Sequence, residues 1–378
     1  MGTAIGKGNA SETFINTNIK QDDVYNIIFS SWDKYKIKKR DKYDFEFIEK
    51  ISKREIPLEI DNHVATFIFS NKENSEKIIE YLLFRYKFYI AGKNKTNLGY
   101  PPYVLIEPVS ACNLRCPFCF QSDKTFTKKP FMGVMKMDLF TKVVDDCDEI
   151  GVGAITMASR GEPGMNKNLG KMLDYISTKK KIFEVKLNTN ATLLNENLCR
   201  SIFKNKLTNV VVSADHYIKE DFERLRLGSK FEEVVKNVDM LYRIRKEEFP
   251  DSKTEIRISG IDNDGDLDKE KYRDFWITRS DNVSAGLPLE RWDTYNNSVL
   301  KNLTSPCENL WDRMYVWYDG KVNPCDSDYK SYLTYGNLKI NSIKELWNNE
   351  INEKLRDEHL NLNRNKINPC DRCGVCHE

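Results

Sequence analysis

From Tyr103 onward the chain alternates short apolar runs with longer stretches of helical rhythm. The runs 103–109, 154–158, 183–187, 209–213 and 254–259, and a last one near Val283, predict buried strands. Between them lie 137–150, 168–178, 195–203, 231–248 and 269–277, which predict amphipathic helices. Leu139, Phe140, Val143 and Val144 show the three-and-four spacing in the first of these. Strands separated by helices imply right-handed crossovers and a parallel sheet. Six such units suffice for a partial (β/α)6 barrel of the α/β class, with functional groups at the C-terminal strand ends.

The rhythm breaks at both ends. Residues 1–98 are rich in Lys, Asp and Asn, with a helix predicted near Tyr25 to Trp32, a strand over His63–Phe69 and a helix over Ser75–Tyr89. This segment reads as an N-terminal α+β extension, and 94–102 as a linker. From Pro306 the chain becomes rich in turns and cysteines. The expected boundaries are an extension over 1–98, a core over 99–300 and a small cysteine-rich domain over 301–378.

Composition narrows the function. Apolar residues make up 40% and charged residues 31%, as in ordinary globular chains. Lys and Arg total 59 against 57 acidic residues, a net +2, so the basic footprint of a nucleic-acid binder is missing. The most apolar stretch, 78–91, contains Glu80, Arg85 and Lys87, which argues against a membrane span. The first residues carry no basic region or apolar core of a signal peptide, and a cytoplasmic location is expected. Of ten cysteines, eight fall in two groups, and clustered thiols in a reducing compartment are more often metal ligands than disulfides.

The first group is Cys112-Asn-Leu-Arg-Cys116-Pro-Phe-Cys119, directly after the first predicted strand. Three thiolates in one loop can each bind one iron of a four-iron cluster and leave the fourth iron open to a substrate or cosubstrate. Structural zinc asks for four ligands, and no His or fourth Cys lies nearby. A disulfide would leave an odd thiol.

At these residues the chain resembles the radical S-adenosylmethionine (SAM) superfamily, whose signature is this spacing with an aromatic residue, here Phe118, before the last cysteine. The resemblance implies that Cys112, Cys116 and Cys119 hold a [4Fe-4S] cluster whose open iron is chelated by SAM. It further implies an external electron donor such as flavodoxin or ferredoxin, and a 5′-deoxyadenosyl radical that abstracts a substrate hydrogen. The family usually carries Gly-Gly-Glu after the second strand, where this chain has Arg160-Gly161-Glu162. Gly161 and Glu162 match, implying a contact with the SAM amino group, while Arg160 replaces the first Gly. Read from the residues alone, Glu162 is a strand-end carboxylate that can meet an ammonium or cap a helix. Asn190 resembles a position near SAM, against the plain alternative of a turn Asn. Ser213 in Ser213-Ala-Asp215 resembles the family's Ser-x-Asp, and Arg226 its Arg-Gly stretch. An Arg on a helix is otherwise a solvated charge.

The second group comprises Cys307, Cys325, Cys370, Cys373 and Cys376. Asp319-Gly320 between apolar alternations predicts a type I′ hairpin that folds Cys325 back towards Cys307, and Cys370 and Cys373 offer two more thiolates. Four thiolates suit zinc or an iron–sulfur cluster, and their spacing does not choose. With Gly336-Asn337-Leu338 and Ile343 to Trp347, the segment resembles the SPASM/twitch extensions of the superfamily. That implies one auxiliary [4Fe-4S] cluster on Cys307, Cys325, Cys370 and Cys373, with Cys376 as a substitute ligand or a free thiol.

The twitch arrangement resembles members acting on aminocyclitols and sugars. The expected activity is therefore an oxidoreductase or epimerase acting on a carbohydrate or aminocyclitol, nucleotide-linked ones included. Residues 278–295, with Arg279, Arg291, Trp292 and Tyr295, are expected to line the substrate side, where aromatic rings stack on sugars and Arg grips phosphate or carboxylate. Cys376, His216 and Arg291 are the candidate catalytic residues. Cys147 and Cys199 fall in predicted helices and read as core thiols. The alternatives are a maturase whose residues 1–98 dock a leader peptide on the strand His63–Phe69, and a non-catalytic zinc-binding interaction protein.

Overall fold

The computed structural model describes residues 21–30, 41–55, 62–288 and 293–375. Among these, helices α1 (Gln21–Ser30), α2 (Lys42–Ser52), α3 (Asn62–Ser70) and α4 (Ser75–Lys93) precede the sheet. The described part of the extension is therefore helical rather than α+β, and His63–Phe69 lies inside α3. Val64, Ala65 and Ile68 are buried together, the face of a helix, whereas in a strand the neighbours 64 and 65 would point to opposite sides. The helix predicted to reach Trp32 is described as far as Ser30.

Six parallel strands follow: β1 (Tyr103–Ile106), β2 (Ala154–Met157), β3 (Glu184–Thr189), β4 (Asn209–Ser213), β5 (Glu255–Ile261) and β6 (Asn282–Gly286). The crossovers carry α5 (Met137–Ile150), α6 (Leu169–Ile176), α7 (Glu196–Lys204), α8 (Lys219–Leu225), α9 (Phe231–Glu248) and α10 (Lys269–Ile277). The outward strand residues, among them Ile155, Leu187, Val210 and Ile258, form one core with the apolar stripes of these helices. Cys147 on α5 and Cys199 on α7 are fully buried in that layer. Lys186, Asn188, Ser213, Arg257, Ser259 and Ser284 alternate with the core residues and so face the concave side.

The C-terminal segment extends the sheet. After the short helix α11 (Asn309–Asp312) come β7 (Arg313–Val316), β8 (Lys321–Asn323) and β9 (Gly336–Asn337), then α12 (Ile343–Trp347) and α13 (Glu350–Leu360). Strand β7 pairs in parallel with β1, so the order is β6-β5-β4-β3-β2-β1-β7-β8-β9 and the barrel stays open. The hairpin β7–β8 forms, but not on a type I′ turn, which needs two residues with positive φ. Gly320 alone takes one, at +85°, and its N–H donates to the Trp317 carbonyl over 2.9 Å.

The N-terminal helices cover the end where the strands begin. Their core includes Tyr81 and Phe84 on α4 with Tyr103 and Ala154 at the starts of β1 and β2. Glu184, the buried first residue of β3, accepts from the Tyr81 hydroxyl at 2.8 Å and pairs with Arg85 at 3.1 Å. At its far end α4 meets α11 through Lys93–Glu308 at 3.3 Å.

Candidate active site

At the opposite end, where the strands finish, the loop after β1 carries Cys112, Cys116 and Cys119. The loop folds on itself through Cys119 N–H to the Cys116 carbonyl, 3.0 Å. Cys112 Sγ is approached by the Leu114 N–H at 3.4 Å and by Asn190 Nδ2 at 3.8 Å. Burial pushes the Cys112 thiol up to about 11 and Cys119 to about 12, and raises Cys116. The neighbouring sulfurs push in the same direction, so the three thiols share one pocket. Only a positively charged occupant makes such thiols good ligands, which is how bound metal inverts local acidity. Among the described residues no three Cys, His, Asp or Glu converge to hold a single metal ion. A zinc ion needs thiolates only about 2.3 Å from one centre, whereas a cluster of four irons stands between its ligands and keeps them apart. Three thiols in one pocket with no fourth protein ligand among the described residues are a donor set that fits the cluster.

The residues after β2 close over this loop. Gly161 runs against the loop backbone: a Cβ there would lie 2.3 Å from the carbonyl oxygens of both Ala111 and Val109. Glu162 is buried, and burial raises its carboxyl. Its Oε1 accepts from Thr189 Oγ1 at 2.7 Å and Gly164 N–H at 3.2 Å, and its Oε2 from Asn190 N–H at 2.7 Å. A carboxylate has about four acceptor positions, so one on Oε2 is left for an ammonium group. Thr189 had no mark in the sequence, and neither did Gln121, whose Nε2 donates to the carbonyls of Ser110 (2.7 Å) and Arg160 (2.5 Å). Gln121 thereby staples the cysteine loop to the Gly161–Glu162 segment.

Arg160, which stands where the family pattern has Gly, turns away from the mouth into the C-terminal segment. Its guanidinium forms a two-pronged pair with Glu107 (2.7 and 2.6 Å) and donates to the Tyr329 carbonyl at 2.8 Å. It also lies 4.0 Å from the centre of the Trp317 ring. Ser159 before it takes φ of +152°, the strained backbone this route demands.

After β4, Ser213 stands at the strand end, and buried Asp215 grips Arg226 through two bonds of 2.6 and 3.0 Å. Arg226 is therefore not a solvated helix charge. It follows the last residue of α8, lies against Cys116 and sits 5.6 Å from the Phe118 ring centre. Burial alone would lower its pKa, but the Asp215 carboxylate outweighs that and raises it. His216 has a structural job: its Nδ1 accepts from the Ile218 N–H at 3.0 Å and its carbonyl from Trp276 Nε1 at 3.3 Å.

In the C-terminal domain Cys325, Cys370 and Cys373 gather: burial raises the Cys325 thiol with help from Cys373 and Cys370, and takes Cys370 to about 12 with help from Cys373. The Cys307 N–H donates to Nδ1 of buried His359 at 3.2 Å, and Arg364 binds the Cys373 carbonyl at 3.2 Å. Between this group and the core, Asp328 accepts from Tyr295 Oη (2.7 Å) and from the N–H groups of Tyr332 and Leu333 (2.9 and 2.7 Å). Burial nevertheless lifts its carboxyl to about 6. Tyr295 is thus a packing residue at the domain junction, and Arg279 lies before β6, at the wrong end for the mouth, paired with Asp239 at 2.8 Å. Arg291, Trp292 and Cys376 lie outside the described residues.

Comparison with known proteins completes the site. Residues 106–275 match the family described as the radical SAM superfamily, and 307–376 one described as an iron–sulfur cluster-binding domain. GTP 3′,8-cyclase of Desulforamulus reducens is 29% identical over 136 residues, 36% of this chain and 41% of that protein. GTP 3′,8-cyclase of Clostridium botulinum is 22% identical over 302 residues, 68% of this chain and 92% of that one. The match to the first therefore spans well under half of that cyclase. Among solved structures, Streptococcus suis SuiB bound to S-adenosylmethionine has a TM-score of 0.55 at 15% identity, covering 90% of this chain and 94% of that one. BtrN in complex with AdoMet and 2-DOIA has a TM-score of 0.50 at 16% identity, covering 74% and 93%.

Proposed function

Because the chain belongs to the radical SAM superfamily and ends in an SPASM iron–sulfur domain, we propose that it oxidises a carbohydrate or aminocyclitol, nucleotide-linked substrates included. Its cofactors are a SAM-binding [4Fe-4S] cluster, an auxiliary cluster and SAM. In this reading Cys112, Cys116 and Cys119 hold the first cluster, and Cys307, Cys325, Cys370 and Cys373 the second. When bound, the first cluster and SAM supply a 5′-deoxyadenosyl radical able to take a hydrogen atom from carbon. The chain's own residues then have defined tasks. Glu162 receives the SAM ammonium on the free acceptor position of Oε2, and Gly161 lets that segment lie against the cysteine loop. Asn190, Ser213 and Phe118 border the same space, and Arg226 places positive charge beside Cys116. An external electron donor of the flavodoxin or ferredoxin kind reduces the site.

The observation that carries a small substrate is the position of the N-terminal helices. They lie at the strand starts, away from the cysteine loop, and the segment considered as an edge strand for a leader peptide is helix α3. Oxidation is favoured over epimerisation because the auxiliary cluster would offer an electron acceptor, and Cys147 and Cys199 are sealed in the helix layer, where neither can return a hydrogen atom to a substrate. Of the thiols considered for that role, Cys376 lies outside the described residues. SuiB, which has also been solved bound to precursor peptide SuiA, shares the fold over most of the chain, and a peptide maturase is the second reading.

The test begins with anaerobic purification and a measurement of iron and sulfide per chain, repeated on a variant with Cys112, Cys116 and Cys119 changed to Ala. About eight irons falling to about four, with loss of SAM cleavage, is expected. Absence of iron refutes the reading, and one zinc with about four irons removes the auxiliary cluster. Production of 5′-deoxyadenosine stimulated by sugars but not by peptides then separates the two substrate classes.

A further inference from the structure

Among the described residues, the concave wall of the barrel carries a cation with no charge partner. Arg257 projects from the middle of β5 on the face opposite the apolar core, since its neighbours Ile256 and Ile258 pack outward. Its side chain is only partly exposed. The guanidinium donates through Nε and Nη2 to one acceptor, Ser284 Oγ, at 3.3 and 2.8 Å. Among the described residues no carboxylate pairs with it. A partly buried guanidinium fork is costly to desolvate unpaired, and an anion is the partner that best offsets that cost.

The strand register shows which way this fork points. Arg257 is level with Asn282 on β6, yet it bonds Ser284, two residues nearer the end that bears the cysteine loop. It thus reaches towards the row formed by Ser213, Ser259 and Ser284 at the strand ends. Asn188 is level with Val211, which is level with Arg257, and its buried Oδ1 has no partner. A fork of N–H donors below a ring of hydroxyls, on the inner wall beside Ser213, matches the oxygens of a phosphate or carboxylate.

We propose that Arg257, with the hydroxyls of Ser259 and Ser284, anchors an oxyanion on the substrate, so that the sugar is a phosphorylated or acidic one. This rests on the sugar reading above and specifies its substrate class. The anchor fixes one end of the sugar below the mouth and leaves the carbon to be attacked facing the cysteine loop. Arg257 acts by binding, without taking part in hydrogen transfer.

The test is calorimetric titration of the anaerobically loaded holoenzyme, with SAM present, using glucose 6-phosphate, glucuronate, glucose and inorganic phosphate. One of the two charged sugars should bind at least about tenfold tighter than glucose. Which one does so distinguishes phosphate from carboxylate. Arg257→Gln should erase that advantage, and Arg257→Lys, which keeps the charge but not the fork, should keep part of it. If inorganic phosphate binds in an Arg257-dependent way while no sugar does, the anchor stands and the sugar reading fails. If none of these probes binds in an Arg257-dependent way, the anchor is overturned. Iron content and circular dichroism identify a variant that does not fold. Should Arg257→Gln be one, the Lys variant decides, and unchanged affinity there overturns the proposal.

Discussion

Removing the Arg160 guanidinium should damage the protein far more than its place in a loop suggests. The side chain is 2% exposed and its partner Glu107 is 0% exposed, so neither charge has water to fall back on. Arg160→Met deletes both prongs of the pair, the bond to the Tyr329 carbonyl and the stacking on Trp317. Glu107 would keep only the Tyr318 N–H, at 3.0 Å. Breaking a buried pair from one side costs about 3–5 kcal/mol, because the surviving charge is left uncompensated. Loss of a desolvated cation–aromatic contact adds about 2 kcal/mol. A double variant, Glu107→Gln with Arg160→Met, removes the stranded charge and should recover at least about 2 kcal/mol relative to the sum of the single losses. The assay is urea unfolding of the loaded protein under anaerobic conditions, followed by tryptophan fluorescence. If Arg160→Met lies within about 1 kcal/mol of the parent, or if the two single losses simply add, the charge argument is refuted.

Three further outcomes are expected. Gly161→Ala would force a methyl to 2.3 Å from two carbonyl oxygens. Overpacking of this kind costs about 1–3 kcal/mol, so SAM affinity measured by equilibrium dialysis should fall about tenfold, and unchanged affinity would show the approach is not needed. Asp328, lifted to about 6 when folded from the ordinary aspartate value of 3.8, binds a proton in the native state that the unfolded chain has already released. Its contribution is present below about pH 4 and lost as pH rises to about 6, a change on the order of 2–3 kcal/mol. Asp328→Asn should flatten that part of the stability–pH curve, and a curve parallel to that of the parent contradicts the assignment. Cys325→Ala should lower iron from about eight to about four per chain while the SAM-dependent cluster spectrum persists, and a full complement of iron would remove Cys325 from the ligand set.

Much of this architecture is written locally. The outward strand residues sit between helices with matching apolar stripes, and both patterns are short-range, so the barrel is legible from Val104 to Val283. The cysteine spacing is equally local. The residues 63–69 mislead because an apolar run without alternation suits a buried helix as well as a strand, and partners such as Tyr81 and Phe183 around Phe67 are far along the chain. The same distance hides Arg160 and Glu107, which are 53 residues apart, and the pairing of β7 with β1. Gln121 and Thr189 carry no motif of their own, and their roles exist only once two loops meet. Arg226 looks like a helix charge until Asp215 is placed beside it.

The pairing of β7 with β1 bears on electron traffic. The loop that holds the first three cysteines leaves the end of β1, and Cys325 follows the hairpin that begins with β7. The segment that carries Cys325 is therefore tied to the strand leading into the first cysteine loop by a hydrogen-bonded ladder as well as by the chain. Tunnelling rates depend steeply on separation, and a sheet that joins the two cysteine-bearing segments would limit how far clusters bound there could drift apart.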